Sequence, residues 1–161
     1  MVGLGGAAFP THVKLAPPKD LTIDTIIING AECEPYLTTD HRIMVEYPER
    51  VHFGIRIMMH ALGVRRTVVG VERNKPDAIT ALEGTKPTDL DVTILPLTVK
   101  YPQGAEKMLI KSVLDREVPG LTVDWCGGLC FDLPPDKLEA YAREHASWGY
   151  GIRRVDADEI R

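Results

Sequence analysis

The stretch Asp24-Thr-Ile-Ile-Ile-Asn29 is a run of β-branched residues between polar ones, which is typical of a buried strand. Two further apolar runs follow it, Thr67-Val-Val-Gly-Val71 and Val92-Thr-Ile-Leu-Pro-Leu97. Apolar residues at helical spacing come after each run, and we expect helices over residues 48–62, 75–83 and 104–115. Apolar strands that alternate with amphipathic helices predict a three-layer α/β fold, with a mostly parallel sheet and helices on both faces.

The predicted helix over residues 48–62 has clear signals at both ends. Pro48 suits the first turn, because its missing N–H has no partner there in any case. Gly63 suits the position just after the last turn, where the backbone often turns left-handed. His52 and His60 lie on this helix, and we expect both near the surface.

A glycine-rich segment stands at the start of the sequence, and its notable residues are Gly3, Gly5, Gly6, Phe9, Pro10 and Lys14. Three glycines within four positions let a backbone approach a ligand closely, because no Cβ is in the way. The spacing Gly3-x-Gly5-x-x-Ala8 fits the loose dinucleotide pattern, but Pro10 follows too soon and no strand precedes it in the sequence. We interpret the segment as a loop that holds a flat, phosphorylated molecule.

Two polar segments flank the predicted strands. Residues 29–35 follow the first strand, and residues 101–106 lead into the last helix. Because ligands bind parallel sheets at the carboxyl ends of the strands, we expect both segments at one edge. Each also has a simpler explanation, in which the first segment only closes a strand and Glu106 only balances the helix dipole.

Composition and charge argue against several classes of protein. The 161 residues carry a formal net charge of −4 without a basic, aromatic-rich cluster, so nucleic acid is not an expected partner. No run reaches the roughly 18 apolar residues of a membrane span. The three cysteines do not suggest a disulfide framework, so a reducing, cytoplasmic location is expected. Cys126 and Cys130 lack two further ligands, so no metal site is predicted.

Three segments, taken together, resemble one family: residues 3–15, 29–42 and 101–107. In their order and spacing they closely resemble RnfC, a subunit of the Rnf ion-translocating electron-transport complex. They are more distantly similar to the FMN- and NADH-binding flavoprotein subunit of respiratory complex I. The resemblance runs from about residue 2 to about residue 119. It implies a Rossmann-like domain that holds FMN and admits NADH beside it.

The resemblance also implies a role for each matched position. The residues implied to bind FMN are Gly3, Gly5, Gly6, Lys14, Asn29, Glu32 and Gly104. Those implied to face NADH are Phe9, which would stack, and the hydrogen-bond acceptors Glu34 and Glu106. No side chain is expected to act as a catalytic acid or base, because the flavin itself carries the hydride chemistry.

The sequence also departs from that family. Members carry a region before the glycine loop, a flavin-phosphate segment rich in Asn and Thr, and cysteine runs for two [4Fe–4S] clusters, and none of these is present here. We therefore expect an incomplete RnfC-like domain over residues 1–119 and a tail of unclear origin over residues 120–161. The tail pattern predicts a helix to about Ser147 and a short strand from Gly151.

The function implied by the resemblance is hydride exchange between NAD(H) and FMN in a ferredoxin:NAD oxidoreductase complex. Its partners would be NADH and the other Rnf subunits, which would hold it peripherally at the membrane. Without cluster ligands, this chain alone is not expected to complete the electron path. Two alternatives stay open: a non-catalytic remnant that does not retain flavin, and a nucleotide-binding module without redox chemistry.

Overall fold

The structure, a computed structural model, describes residues 10–17, 22–32 and 36–117. The chain divides into two compact units, of which one is Leu15–Arg116 and the other combines Met1–Lys14 with Glu117–Arg161. In the second unit the described part contains one short helix, α1 (Thr11–Lys14). The predictions for residues 120–161 lie outside the described residues.

Three parallel strands form the sheet of the larger unit, as the sequence predicts. They are β1 (Thr25–Gly30), β2 (Arg66–Glu72) and β3 (Asp91–Leu97), in the order β1-β2-β3. In the register, Ile28 of β1 lies beside Val69 of β2, which in turn lies beside Ile94 of β3. All three strands therefore end at the same edge of the sheet.

Four helices connect and cover the strands: α2 (Thr39–Glu46), α3 (Pro48–Leu62), α4 (Pro76–Gly84) and α5 (Glu106–Leu114). The α3 helix begins and ends where its sequence signals predict, and Gly63 adopts a left-handed φ of 66°. The sequence does not predict α2, because Met44 is its only buried residue and its apolar pattern is weak. Within the described part, no helix is long and apolar enough to cross a membrane.

Helices pack on both faces of the sheet, which confirms the three-layer α/β fold. On one face, α2, α3 and α4 pack against the strands through a core that includes Ile26, Met44, Ile55, Val69, Val71, Leu82 and Ile94. On the other face, Leu109 and Val113 of α5 pack against Ile27, Leu95 and Leu97. The strict alternation of side chains along a strand assigns these sets to opposite faces.

The position of His52 corrects one prediction. Its side chain is only 2% exposed, because it lies in the stripe of α3 that also buries Pro48, Ile55 and Met59. Its Nε2–H donates a hydrogen bond of 2.9 Å to the carbonyl of Leu82 on α4. A buried histidine is acceptable here because that bond ties α3 to α4. His60 is exposed, as expected.

Candidate functional site

The loops after β1 and before α5 meet at the carboxyl edge of the sheet. The Nδ2 amide of Asn29 donates a hydrogen bond of 2.8 Å to the main-chain carbonyl of Gly104. The other half of the same side chain, Oδ1, accepts a bond of 3.2 Å from the N–H of Ala31. Asn29 thus fixes both its own loop and the one that precedes α5. The two polar segments that the sequence places at one edge do lie together.

The loop before α5 is a compact turn. It contains a cis peptide bond between Tyr101 and Pro102. The N–H of Gln103 donates to the carbonyl of Lys100 at 2.8 Å, and the N–H of Ala105 donates to that of Pro102 at 3.0 Å. Short-range bonds therefore hold the loop in shape before Asn29 joins it.

Glu32 links the site to the first turn of α2. Its Oε1 accepts a hydrogen bond of 2.6 Å from the N–H of Asp40, one of the helix N–H groups that have no partner within the helix. Its Oε2 is buried and has no hydrogen-bond partner in the described part of the chain. A buried acceptor without a partner is costly, so this oxygen suits a ligand that brings an N–H or O–H donor.

Asp40 lies in a carboxylate-rich environment. Burial raises the pKa of its side chain, and the negative charge of Glu32 raises it further, while Lys75 acts in the opposite direction. Lys75 is itself committed elsewhere, because its Nζ donates to Oε2 of Glu72 at 2.7 Å. The side chains of that pair are only 11% and 4% exposed. The site is therefore richer in negative than in free positive charge.

Sequence reasoning missed Asp40, Glu72 and Lys75. A signal for the pair was available, since Glu72 directly follows the second apolar run and Lys75 comes three positions later. Nothing in the sequence pattern places Asp40 near Lys75, because that depends on how α2 packs against α4.

His41, for which the sequence suggests no chemical role, holds α2 against α4. Its Nε2–H donates a hydrogen bond of 2.9 Å to Oδ1 of Asp77. This bond is the main reason why the pKa of Asp77 is lowered. The contact therefore helps to fix the helix whose first turn Glu32 caps.

The topology favours a binding crevice at this position. The helices that follow β1 cover one face of the sheet, whereas α5 crosses to the other face beneath β1 and β2. Ligands bind α/β sheets at the carboxyl edge where the connections diverge in this way. Asn29 and Glu32 stand at that end of β1.

The remaining predicted site residues are only partly described. Glu106 is the first residue of α5 and is exposed, so it can balance the helix dipole and still face a ligand. Lys14 ends α1, but its side chain lies outside the described residues, as do Gly3, Gly5, Gly6, Phe9 and Glu34. No cluster of three or more His, Cys, Asp or Glu suited to a metal ion occurs in residues 10–17, 22–32 and 36–117.

Comparison with solved structures supports the fold. The crystal structure of an NAD+-reducing [NiFe]-hydrogenase in the H2-reduced state superposes with a TM-score of 0.57 and 24% identity. The match covers 70% of this chain and 21% of the hydrogenase chain. At that identity the likeness shows the fold alone.

Curated relatives are closer in sequence, and those compared here are all RnfC proteins. The RnfC protein of the proton-translocating ferredoxin:NAD(+) oxidoreductase complex of Clostridium ljungdahlii is 54% identical over 130 residues, which is 77% of this chain and 27% of the relative. Its counterpart in the Na(+)-translocating complex of Acetobacterium woodii is 52% identical over 119 residues, or 74% of this chain and 27% of the relative. The counterpart in an ion-translocating oxidoreductase complex of Rhodobacter capsulatus is 45% identical, across 77% of this chain and 24% of the relative.

This chain thus spans about a quarter of the length of the curated relatives that it matches. The model of the Nuo51 FMN-binding domain matches residues 1–130, which is most of the chain. These matches confirm the resemblance to RnfC. The chain belongs to the Nuo51 FMN-binding domain family.

Proposed function

We propose that this chain is the FMN- and NADH-binding part of an RnfC-type protein, in which NAD(H) and FMN exchange a hydride. The observation that carries the proposal is the crevice at the end of β1, where Asn29 joins Gly104 and Glu32 presents a buried, unpartnered oxygen. A flavin offers a ring N–H and ribityl hydroxyls as donors to such an acceptor. Membership of the Nuo51 FMN-binding domain family supports the same ligand.

The residues at the crevice fit FMN in their hydrogen-bonding capacity. Glu32 would accept a bond through Oε2, and the second N–H of the Asn29 amide is available beyond the one given to Gly104. Gly104 would border the ring. From the glycine segment, Gly3, Gly5 and Gly6 would contribute close backbone contact and Lys14 a positive charge.

NADH would bind on the outer side of the flavin. Phe9 would stack on the nicotinamide nucleotide, and Glu34 and Glu106 would accept hydrogen bonds from it. When bound, FMN supplies the hydride and single-electron chemistry. The residues of this chain would then bind and orient the two partners, and none of them needs to act as an acid or base.

The wider assembly is part of the proposal. The relatives are named as subunits of ion-translocating complexes. We place this chain with the other Rnf subunits, on the cytoplasmic side and peripheral to the membrane. The [4Fe–4S] clusters that receive the electrons would be held outside this chain's 161 residues. Residues 1–119 would form the flavin domain, with residues 120–161 as a separate tail.

A fluorescence titration of FMN with the purified chain tests this function. We expect quenching that saturates at one flavin per chain. Lys14→Ala should weaken binding about tenfold or more, because a hydrogen bond to a charged group contributes about 1.5–3 kcal/mol. Lys86→Ala is the matched control, since Lys86 pairs with Glu83 at the far end of α4.

The alternatives give different results in the same experiment. A chain that quenches no FMN at micromolar concentrations would be a remnant that has kept the fold and lost the cofactor. A chain that binds NADH or another nucleotide without binding flavin would be a nucleotide-binding module. Quenching that is unaffected by Lys14→Ala would remove the glycine segment from the site.

A further inference from the structure

Gln103 has an unusual position beside the crevice. It directly precedes Gly104, whose carbonyl accepts the hydrogen bond from Asn29. Its side chain is only 1% exposed, although Tyr101 in the same turn is 83% exposed. A long polar side chain is therefore buried in the loop that forms one wall of the candidate site.

Only half of the Gln103 amide is used within the described part of the chain. Nε2 donates a hydrogen bond of 3.0 Å to Oγ of Ser112 on α5, while Oε1 is buried and unpartnered. Exchanging the two ends of the amide does not remove the problem. The hydroxyl can donate as well as accept, but it engages only one end, so one buried polar atom stays unpaired in either orientation.

Unpaired buried atoms are rare in folded proteins, and two of those in the described residues lie around this site. Glu32 Oε2 lies in the loop after β1, and Gln103 Oε1 lies in the loop after β3. The Asn29–Gly104 bond joins those two loops. The other two such atoms, on His52 and Thr67, belong to α3 and to the start of β2.

We propose that Gln103 is a ligand-binding residue of this site, and that its side-chain carbonyl accepts a hydrogen bond from an N–H or O–H of the bound flavin. Ser112 is then a positioning residue, because its hydroxyl fixes the rotamer that directs the carbonyl. The proposal rests on the proposed flavin function. It adds a second acceptor, on the opposite wall from Glu32, and none of the roles implied by the family resemblance includes it.

The test compares Gln103→Met with Ser112→Ala in the FMN titration. The Met side chain keeps the length of Gln but has no amide, so the flavin donor loses its acceptor and the Kd should rise about tenfold or more. Ser112→Ala removes the same internal hydrogen bond but leaves the carbonyl, so the Kd should change by less than about threefold. If Gln103 serves only the fold, both variants will lower Tm alike and leave the Kd unchanged, which would overturn the proposal.

A second variant keeps the test decisive if Gln103→Met does not fold. Gln103→Glu retains the shape, an acceptor oxygen and a partner for Ser112, so FMN should still bind. Loss of flavin binding in folded Gln103→Glu would contradict the proposal. Failure of the unchanged chain to bind FMN would instead overturn the proposed function, and this inference with it.

Flavin analogues identify the donor. Lumiflavin keeps the ring N–H but lacks the ribityl hydroxyls. A defect of Gln103→Met that is equally large with lumiflavin and FMN assigns the contact to the ring. A defect confined to FMN and riboflavin assigns it to a hydroxyl, and no defect with any of the three overturns the proposal.

Discussion

The side-chain amide of Asn29 donates a hydrogen bond of 2.8 Å to the carbonyl of Gly104, which lies 75 positions later in the chain. Its oxygen at the same time accepts the N–H of Ala31. Asn29 therefore needs both a donor and an acceptor on one short side chain. Among side chains of this length, only an amide supplies both in this geometry.

We predict that Asn29→Asp loosens the loop before α5. The carboxylate keeps the acceptor for Ala31 but brings a negative oxygen to the carbonyl of Gly104 in place of a donor. The free energy of unfolding should fall by about 1–3 kcal/mol, as expected when a buried or partly buried acceptor loses its partner. Urea unfolding measures the change, and FMN titration should show weaker binding.

Asn74→Asp is the control for this substitution, because Asn74 lies on an exposed turn and carries the same chemical change. Equal effects of the two variants on stability and on flavin binding would mean that the Asn29–Gly104 bond does not organise the site.

The buried pair of Glu72 and Lys75 gives a second prediction. Lys75→Met should lower the free energy of unfolding by about 3–5 kcal/mol, because it leaves the almost fully buried carboxylate of Glu72 without its partner. The double variant Glu72→Gln/Lys75→Met removes both charges and should recover much of the loss. A double-mutant cycle from urea unfolding measures the coupling. A single variant no less stable than the double one would show that the pair is not energetically coupled.

The raised pKa of Asp40 predicts how stability depends on pH. Burial and the charge of Glu32 make ionisation less favourable in the folded chain, so the pKa lies above its ordinary value of 3.8. Stability from this group is therefore complete below that value and is lost as the pH rises through the raised pKa. Asp40→Asn should be more stable than the parent at neutral pH, with a difference that disappears below about pH 4. Thermal unfolding across this pH range provides the measurement.

Asp77 supplies a control of opposite sign. The hydrogen bond from His41 lowers its pKa, so its contribution is present at neutral pH and is lost as the pH falls. Asp77→Asn should be less stable than the parent at neutral pH and equal to it in acid. If both asparagine variants shift Tm in the same direction at neutral pH, the account of Asp40 is wrong.

Local pattern was sufficient for the strands and for α3. The apolar runs that became β1, β2 and β3, and the stripe from Pro48 to Met59, can be read without tertiary information. Parallel topology then predicts that the loops holding Asn29 and Gly104 meet, which they do.

Features that depend on contacts from outside the element could not be read in this way. The first turn of α2 is capped by Glu32, from the preceding loop, and the helix itself buries only Met44. His52 carries the same polar label whether it faces water or the carbonyl of Leu82. The environment of Asp40 arises only when α2 and α4 pack together, so the electrostatics of the site were not predictable from residue spacing.

Two glycines provide the last prediction. A Cβ at Gly30 would lie 2.9 Å from the carbonyl oxygen of Gly70 and 3.1 Å from Sδ of Met44. The nearer atom belongs to the main chain of β2, so it cannot move without disturbing the pairing of the two strands. Gly30→Ala should therefore lower the free energy of unfolding by about 1–3 kcal/mol, the usual cost of overpacking. Since Gly30 directly follows Asn29, flavin binding should weaken as well.

Gly54→Ala on α3 is the matched comparison. A Cβ there meets nothing within 4 Å, and alanine is the better helix former, so the variant should gain up to about 1 kcal/mol. Both substitutions reduce the conformational freedom of the unfolded chain to the same extent, so the difference between them reports the folded state alone. Urea unfolding of the two variants side by side measures it. Equal stability would mean that β1 and β2 have room at Gly30, and that the close approach of their backbones does not shape the crevice.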